Sequence, residues 1–185
     1  MPELVYDRSY HDRPSVSVPM VFIVGFSGSG KTTLIERLIH VLVRNGVRVG
    51  TIKHDVHGFE MDSPGKDTWR HKRAGAGATI ISSPARIGMV KDVDHDLSPN
   101  ELAGLMQDMD IILVEGYKSI RQPKIEVFRS GNDKSPVCRD DRHLIAVVSD
   151  VPQNWGVPCF LMDQVDEIAA FITEKFLQDQ TVENV

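Results

Sequence analysis

The 185-residue sequence has few cysteines, no long hydrophobic run and no excess of positive charge. Its two cysteines, Cys138 and Cys159, are too far apart for a CxxC pair and too few for a disulfide-stapled secreted scaffold. We therefore expect a reducing compartment, the cytoplasm. The longest apolar runs, residues 21–24 and 144–148, fall far short of the ~20 residues that span a bilayer, so we expect no membrane segment.

The charge balance excludes another class of protein. With 26 Asp and Glu against 21 Lys and Arg, the net charge is −5, which argues against coating nucleic acid through bulk charge. The length suits one domain with a real core. We expect a flexible extension over residues 1–19, a nucleotide-binding domain over 20–178 and a short tail over 179–185. The extension has no continuous apolar segment of the kind found in secretory signals.

From residue 20 onward, short β-branched runs alternate with helical patterns, which predicts an α/β fold with a mostly parallel sheet flanked by helices. We predict strands over residues 20–24, 47–53, 78–83, 86–91, 111–114, 124–129, 144–148 and 158–161. Helices are predicted over residues 31–45, 66–74, 99–108 and 164–178. The first would be ended by Gly46 in the left-handed conformation, and the last would be capped by Asp163. The strands at 78–83 and 86–91 are close enough for an added antiparallel hairpin, which we expect to make the sheet mixed.

One predicted strand, residues 124–129, alternates polar and apolar side chains. Ile125 and Val127 would face the core, while Lys124 and Glu126 would face solvent. This pattern is typical of a half-exposed strand. Such a strand at the edge of the sheet could pair between subunits.

The strongest motif is GFSGSGKT at residues 25–32, which matches GxxxxGK(S/T) in full. It lies between the first predicted strand and the first predicted helix, where the motif is required to lie. Its glycines let backbone N–H groups converge on phosphate oxygens, and the helix N-terminus adds positive potential. The alternative is an ordinary glycine-rich turn. We predict a nucleoside triphosphate site formed by Gly25, Ser27, Gly28, Ser29, Gly30, Lys31, Thr32 and Thr33.

Three residues are candidates for catalysis or metal binding: two from this loop and its helix, and one from a later strand. Lys31 would reach the terminal phosphates, and the Thr32 hydroxyl would bind Mg²⁺. Glu115 directly follows the apolar run 111–114, so it is a candidate for holding the metal or its water and, with Lys31, a candidate catalytic residue. Asp110 precedes the same run and would lie at the opposite end of the strand. For Glu115, a plain surface carboxylate is the alternative.

Residues 53–73 combine histidines and basic residues in one loop and a short helix. Lys53 and His54 end a parallel strand, so they should share the carboxyl edge of the sheet with the phosphate loop, where ligands of such sheets bind. We predict an anionic ligand site from Lys53, His54, His57, Lys66, Arg70 and His71. Two alternatives are a transition metal held by the three histidines with Asp62, and simple pairing of Asp67 with Arg70 and His71 on a solvated helix.

The sequence evidence for which nucleotide base is bound is weaker. Residues 147–150 read VVSD after a buried strand, and they retain only the aspartate of the NKxD segment with which many GTPases bind guanine. Asp150 is therefore a candidate acceptor for guanine, with an ordinary turn residue as the alternative.

The sequence resembles the MobB family of molybdopterin-guanine dinucleotide biosynthesis proteins. The resemblance rests on GFSGSGKTTL at 25–34, TIKHDVHGFEMDSPGKDTWRHKRAGA at 51–76, DIILVEGYK at 110–118 and PKIEVFR at 123–129, and it covers most of residues 20–175. It implies a P-loop NTPase fold that binds GTP and Mg²⁺, with slow hydrolysis at most. It also implies a homodimer that assists a MobA-type guanylyltransferase in converting molybdopterin to the dinucleotide.

Two other functions remain open at this stage. One is a small-metabolite kinase, in which the basic cluster positions an acceptor hydroxyl. The other is a GTPase metallochaperone, in which His54 and His57 bind a metal. The sequence shows no arginine finger or water-orienting glutamine in a recognisable setting, as expected of a binder with weak turnover.

Overall fold

The computed structural model describes residues 18–132 and 134–178. The predicted tail and all but the last two residues of the predicted extension lie outside this range. The described chain forms two compact units, one comprising residues 18–54 and 99–178 and the other residues 55–98. No helix within the described ranges is long and apolar enough to cross a membrane.

The larger unit is built on a six-stranded sheet in which every pairing is parallel. The strands are β1 (Met20–Val24), β2 (Val49–Lys53), β5 (Ile111–Glu115), β6 (Lys124–Phe128), β7 (Leu144–Ser149) and β8 (Cys159–Leu161). Their spatial order in the sheet is β2-β5-β1-β6-β7-β8. Strands β3 (Ala78–Ser83) and β4 (Arg86–Lys91) belong to the smaller unit. The helices of this unit are α1 (Lys31–Arg44), α3 (Pro99–Ala103), α4 (Val165–Leu177) and a 3₁₀ turn (Ser130–Asn132).

Apolar clusters cover both faces of this sheet. On one face, Leu38 and Leu42 of α1 and Ile172 of α4 pack against β-strand side chains and are fully buried. On the other face, Phe22 of β1 and Ala103 of α3 belong to a second cluster. Strands buried on both faces need apolar residues at successive positions, which explains the uninterrupted run in β5.

The first helix is bounded by two glycines. Gly30 precedes it with φ +102°, and Gly46 follows its end with φ +82°, the left-handed conformation that was predicted to stop it. The helix itself ends at Arg44, one residue earlier than predicted. Val47 donates its N–H to the carbonyl of Leu42, so β2 begins only at Val49, two residues later than predicted.

The smaller unit contains α2 (Asp67–Arg73) and an antiparallel hairpin of β3 (Ala78–Ser83) and β4 (Arg86–Lys91). Both strands of the hairpin have the predicted bounds. The expectation of a mixed sheet was wrong, because the two strands pair only with each other and form a sheet of their own. None of the seven residues of α2 is buried.

The expected edge strand at residues 124–129 lies instead inside the sheet, between β1 and β7. Lys124 and Glu126 are therefore buried, at 0% and 1% exposure, rather than facing solvent. Partners from the following loops make this burial possible. The Lys124 ammonium donates to Asp141 at 2.6 Å, and the Glu126 carboxylate accepts the backbone N–H groups of Val137 and Cys138 at 2.6 and 2.7 Å. The prediction of a half-exposed strand available to a second subunit was wrong.

Two helix predictions also need correction. The helix predicted over 99–108 ends at Ala103. Beyond it, backbone N–H groups bond three residues back instead of four, as when Leu105 donates its N–H to the carbonyl of Leu102. The last helix begins at Val165 with Gln164, not Asp163, at its N-cap. The Gln164 side chain faces the preceding strand, where Oε1 accepts the N–H of Leu161 at 2.7 Å.

Candidate nucleotide-binding site

The phosphate loop, residues 25–30, lies between β1 and α1 as the motif predicted. At Gly25, φ is +142° and a Cβ atom would overlap the carbonyl oxygen of Val127 in β6, so no larger residue fits. Ser29 N–H donates to the carbonyl of Phe26 at 3.2 Å and thereby curls the loop. With Gly28 and Gly30 also at positive φ, the backbone has the curled form that turns N–H groups toward an anion.

Lys31 extends across this loop. Its ammonium donates to the carbonyl oxygen of Phe26 at 2.8 Å. Burial lowers the pKa of Lys31, Glu115 opposes that shift, and the nearby ammonium groups of Lys118 and Lys53 lower the pKa further. Lys31 thus lies among other cations at the carboxyl edge of the sheet, as expected of a side chain that meets phosphate.

The structure brings Thr32 and Glu115 together across 83 residues of sequence. Thr32 Oγ1 donates to the Glu115 carboxylate, at 3.2 Å from Oε2 and 3.4 Å from Oε1. Thr32 lies in the first turn of α1 and Glu115 is the last residue of β5, which neighbours β1. A hydroxyl and a carboxylate are hard oxygen donors of the kind that Mg²⁺ binds, so these residues fit the metal.

At the opposite end of β5, Asp110 accepts hydrogen bonds from the backbone N–H and the guanidinium of Arg48, at 2.8 and 3.1 Å. It anchors the connection that leads into the sheet, as its position before the apolar run predicted.

The end of β2 reaches the same edge as the phosphate loop. Lys53 pairs with Glu115 in the strand register, and His54 donates its N–H to the Glu115 carbonyl at 3.0 Å. The His54 ring stacks on Tyr117, with centroids 4.1 Å apart. Tyr117 has φ +51°, a left-handed conformation that costs a non-glycine residue about 1–2 kcal/mol. Tyr117 was not among the predicted site residues, because only its backbone conformation and its stacking single it out.

The other residues of the predicted anion site belong to the smaller unit. His57 donates its N–H to Asp55 Oδ1 at 2.9 Å in a local turn. Arg70 lies 3.9 Å from Asp67, and both side chains are largely exposed, as expected for i,i+3 pairing on a solvated helix. Lys66 is the N-cap of the same helix, and His71 lies within it. No group of three or more potential metal ligands occurs in the described ranges, so the metal alternative has no support there.

A basic group on the β6 side of the loop was missed from the sequence. Arg129 follows β6 directly, and its Nε donates to the carbonyl of Ser29 at 3.1 Å. The ammonium groups of Lys118 and Lys134 lie 4.9 and 5.2 Å from the centre of the Phe26 ring. The rule that located Glu115, a polar residue at the carboxyl end of a strand beside β1, would have found Arg129 had β6 been placed next to β1.

Asp150 joins the ends of two strands. Its Oδ1 accepts the backbone N–H of Ser130 at 3.0 Å and lies 3.3 Å from the Ser149 hydroxyl, and the bond from Ser130 is the main reason that the pKa of Asp150 is lowered. This role in a turn is the alternative weighed from the sequence, and the contact with guanine stays a prediction. Ser27 in the loop and Thr33 in the first turn of α1 are both exposed.

The chain matches the family described as "MobB: Molybdopterin guanine dinucleotide synthesis protein B" over residues 20–150. It is similar to a protein of Escherichia coli (strain K12) named molybdopterin-guanine dinucleotide biosynthesis adapter protein, with 39% identity over 162 residues, 85% of this chain and 93% of that one. A protein of the same name from Haemophilus influenzae is 35% identical, with 84% and 88% coverage. The crystal structure of Bacillus subtilis MobB is 28% identical, with a TM-score of 0.68 and coverage of 85% and 98%.

Proposed function

We propose that this chain, which belongs to the molybdopterin guanine dinucleotide synthesis protein B family, is a GTP-binding adapter in the biosynthesis of that dinucleotide. The family and the names of its relatives supply the pathway. In the proposal the phosphate loop holds the nucleotide, and its curled backbone, the helix N-terminus and Lys31 support this because they suit a triphosphate.

The observation that carries the nucleotide proposal is the contact of Thr32 Oγ1 with the Glu115 carboxylate at 3.2 Å. It places a hydroxyl and a carboxylate beside the loop that would bind the phosphates. In the proposal these two residues hold Mg²⁺, which when bound offsets phosphate charge. Lys31 holds the terminal phosphates, and the loop N–H groups orient them.

The adapter role has further parts that come from the family resemblance. The partner would be a MobA-type guanylyltransferase, the pathway substrate would be molybdopterin, and the active form would be a cytoplasmic homodimer. Hydrolysis of GTP would be slow at most, so the chain would act mainly by binding. Lys53 and His54, which lie at the carboxyl edge beside Glu115, would face an anionic ligand of the same reaction.

Calorimetric titration with GTP and ATP in the presence of Mg²⁺ tests the nucleotide proposal. We expect GTP to bind more tightly than ATP, and K31A to weaken GTP binding on the order of 100-fold, because it removes charge-assisted bonds to phosphate. A matched control is K175A, a lysine of α4 that lies over the ring of Phe171. Equal affinity for both nucleotides, or an unchanged affinity in K31A, would contradict the proposal. ADP release that depends on a small-molecule acceptor would favour the kinase alternative instead.

The guanine contact is tested separately by Asp150→Asn. The amide oxygen of Asn can still accept the N–H of Ser130, so the turn is retained, but the carboxylate that would accept two guanine N–H groups is lost. We expect GTP affinity to fall about 10-fold or more with ATP affinity unchanged. An equal change for both nucleotides would show that Asp150 acts on the turn alone.

A further inference from the structure

We propose that Lys118, Arg129 and Lys134 form a second anion subsite around the ring of Phe26, on the β6 side of the phosphate loop, and that it binds a phosphate monoester. The inference rests on the proposed function, since the subsite would hold a second phosphate-bearing ligand next to the nucleotide. The four residues all belong to the larger unit.

Two cations from separate segments lie against one aromatic ring, that of Phe26. Lys118 comes from the loop after β5 and Lys134 from the segment after the 3₁₀ turn, yet their ammonium groups lie 4.9 and 5.2 Å from the same Phe26 centroid. A ring face attracts an ammonium without accepting its protons as a carboxylate would. Both exposed lysines therefore keep donors that can meet an anion.

Arg129 lies against the phosphate loop. Its Nε is fixed by the carbonyl of Ser29, and its Nη2 lies 3.5 Å from the place where a Cβ on Gly30 would be. The guanidinium is therefore held against the phosphate loop by one of its donors. Its planar fork suits phosphate oxygens, which it can meet with two parallel bonds.

Ser29 has a buried hydroxyl without a hydrogen-bond partner among the described residues. Ser29 is 2% exposed, and its Oγ makes no hydrogen bond within the part of the chain that the structure describes. Ser29 lines a depression together with Phe26, Arg129 and Lys134. Buried polar groups are almost always paired, so this hydroxyl beside the basic side chains lacks the partner that a bound group or a water would supply.

The charge of the depression also favours an anion. Glu126 is the carboxylate in its lining, but both of its oxygens accept backbone N–H groups, from Val137 and Cys138. The three basic side chains are left to meet a negative ligand. The Lys118 ammonium also lowers the pKa of Lys31, so the positive region continues to the phosphate loop.

Sheet order separates this subsite from the metal side of the nucleotide site. Glu115 ends β5 and Arg129 follows β6, and these strands flank β1 on opposite sides. One ligand would be held by Thr32 and Glu115 on one side of the loop, and the second would lie on the other side with Arg129 and Lys134. A protein that assists in joining two phosphate-bearing molecules has use for both positions.

The test uses the full chain saturated with Mg²⁺ and a non-hydrolysable GTP analogue, with inorganic phosphate as the probe and its ³¹P line width as the readout. We expect saturable broadening by the wild type and an affinity about 10-fold lower in the double variant K118A/K134A. R129A should weaken binding similarly. K175A, which removes the same kind of lysine-on-phenylalanine contact from α4, should change nothing.

The subsite is disproved if phosphate binds only to the nucleotide-free chain, because the phosphate loop alone would then hold it. It is also disproved if K175A weakens binding as much as K118A/K134A does. Nucleotide that binds without any second phosphate would overturn the subsite and leave the proposed function intact. If the analogue fails to bind, the same phosphate titration in a K31A background, in which the phosphate loop has lost its charged donor, still decides on the subsite.

Discussion

Replacing Lys124 by Met tests whether a buried ion pair supports the loop beside the nucleotide site. Lys124 is fully buried in β6, and its ammonium donates to Asp141 at 2.6 Å, to the carbonyl of Ile120 at 2.5 Å and to that of Lys118 at 3.2 Å. Methionine fills similar volume but donates nothing. The substitution therefore leaves a carboxylate and two carbonyls without their donor.

The expected cost follows from these contacts. Removal of one partner from a buried pair costs about 3–5 kcal/mol. Asp141 is 29% exposed and regains some hydration, so we expect K124M to lower the free energy of unfolding by about 3 kcal/mol at pH 7. Urea denaturation monitored by circular dichroism measures it. R44M is the control, because Arg44 pairs with Asp166 at 2.6 Å but both side chains are largely exposed, at 67% and 72%, and the expected cost is below about 1 kcal/mol.

The pH dependence adds a second check. The hydrogen bond from Lys124 is the main reason that the pKa of Asp141 is lowered in the folded chain. A lowered folded-state pKa stabilises the fold above the unfolded value, roughly pH 4, and this stabilisation disappears as pH falls through the folded pKa. The difference in the free energy of unfolding between wild type and K124M should therefore become smaller in acid. A cost below 1 kcal/mol at pH 7, or a gap that does not change with pH, would refute the reasoning.

Two further predictions concern the phosphate loop and a thiol. G25A should abolish nucleotide binding in calorimetry, because the added Cβ would overlap the carbonyl oxygen of Val127. G28A should raise the free energy of the loop conformation by only about 1 kcal/mol, because the added Cβ would have no atom within 4 Å and only the positive φ is unfavourable. Equal losses of nucleotide binding in the two variants would contradict this steric account. Burial raises the pKa of Cys138 to about 11, so in C159S the remaining thiol should react with a disulfide reagent at pH 8 far more slowly than after denaturation. Rapid labelling of the native variant would disprove it.

The sequence predicted those features that depend on neighbours along the chain. The phosphate loop, the first helix with its glycine stop and the hairpin all follow from residues within a few positions of one another, and the structure confirms them. The parallel alternation also placed Lys53, His54 and Glu115 at one edge, because parallel strands share their carboxyl ends.

The sequence could not show that the charged residues of β6 have hydrogen-bond partners in distant segments of the chain. Alternation of Lys124 and Glu126 with apolar residues is the same pattern whether the charges meet water or protein. Their partners lie in loops 11 to 17 residues further along the chain. Placing β6 wrongly at an edge also concealed Arg129, whose importance depends on β6 lying beside β1.

The buried charges of β6 make this strand a support for both sides of the site. Lys124 holds the carbonyls of Lys118 and Ile120, so it fixes the loop that follows Glu115. Glu126 holds the backbone after the 3₁₀ turn, in the segment that carries Lys134. A strand of apolar residues alone would offer neither contact. We infer that β6 retains two buried charges because the loops on which the proposed ligands depend need fixed anchors, and K124M should accordingly weaken phosphate binding at the second subsite as well as the fold.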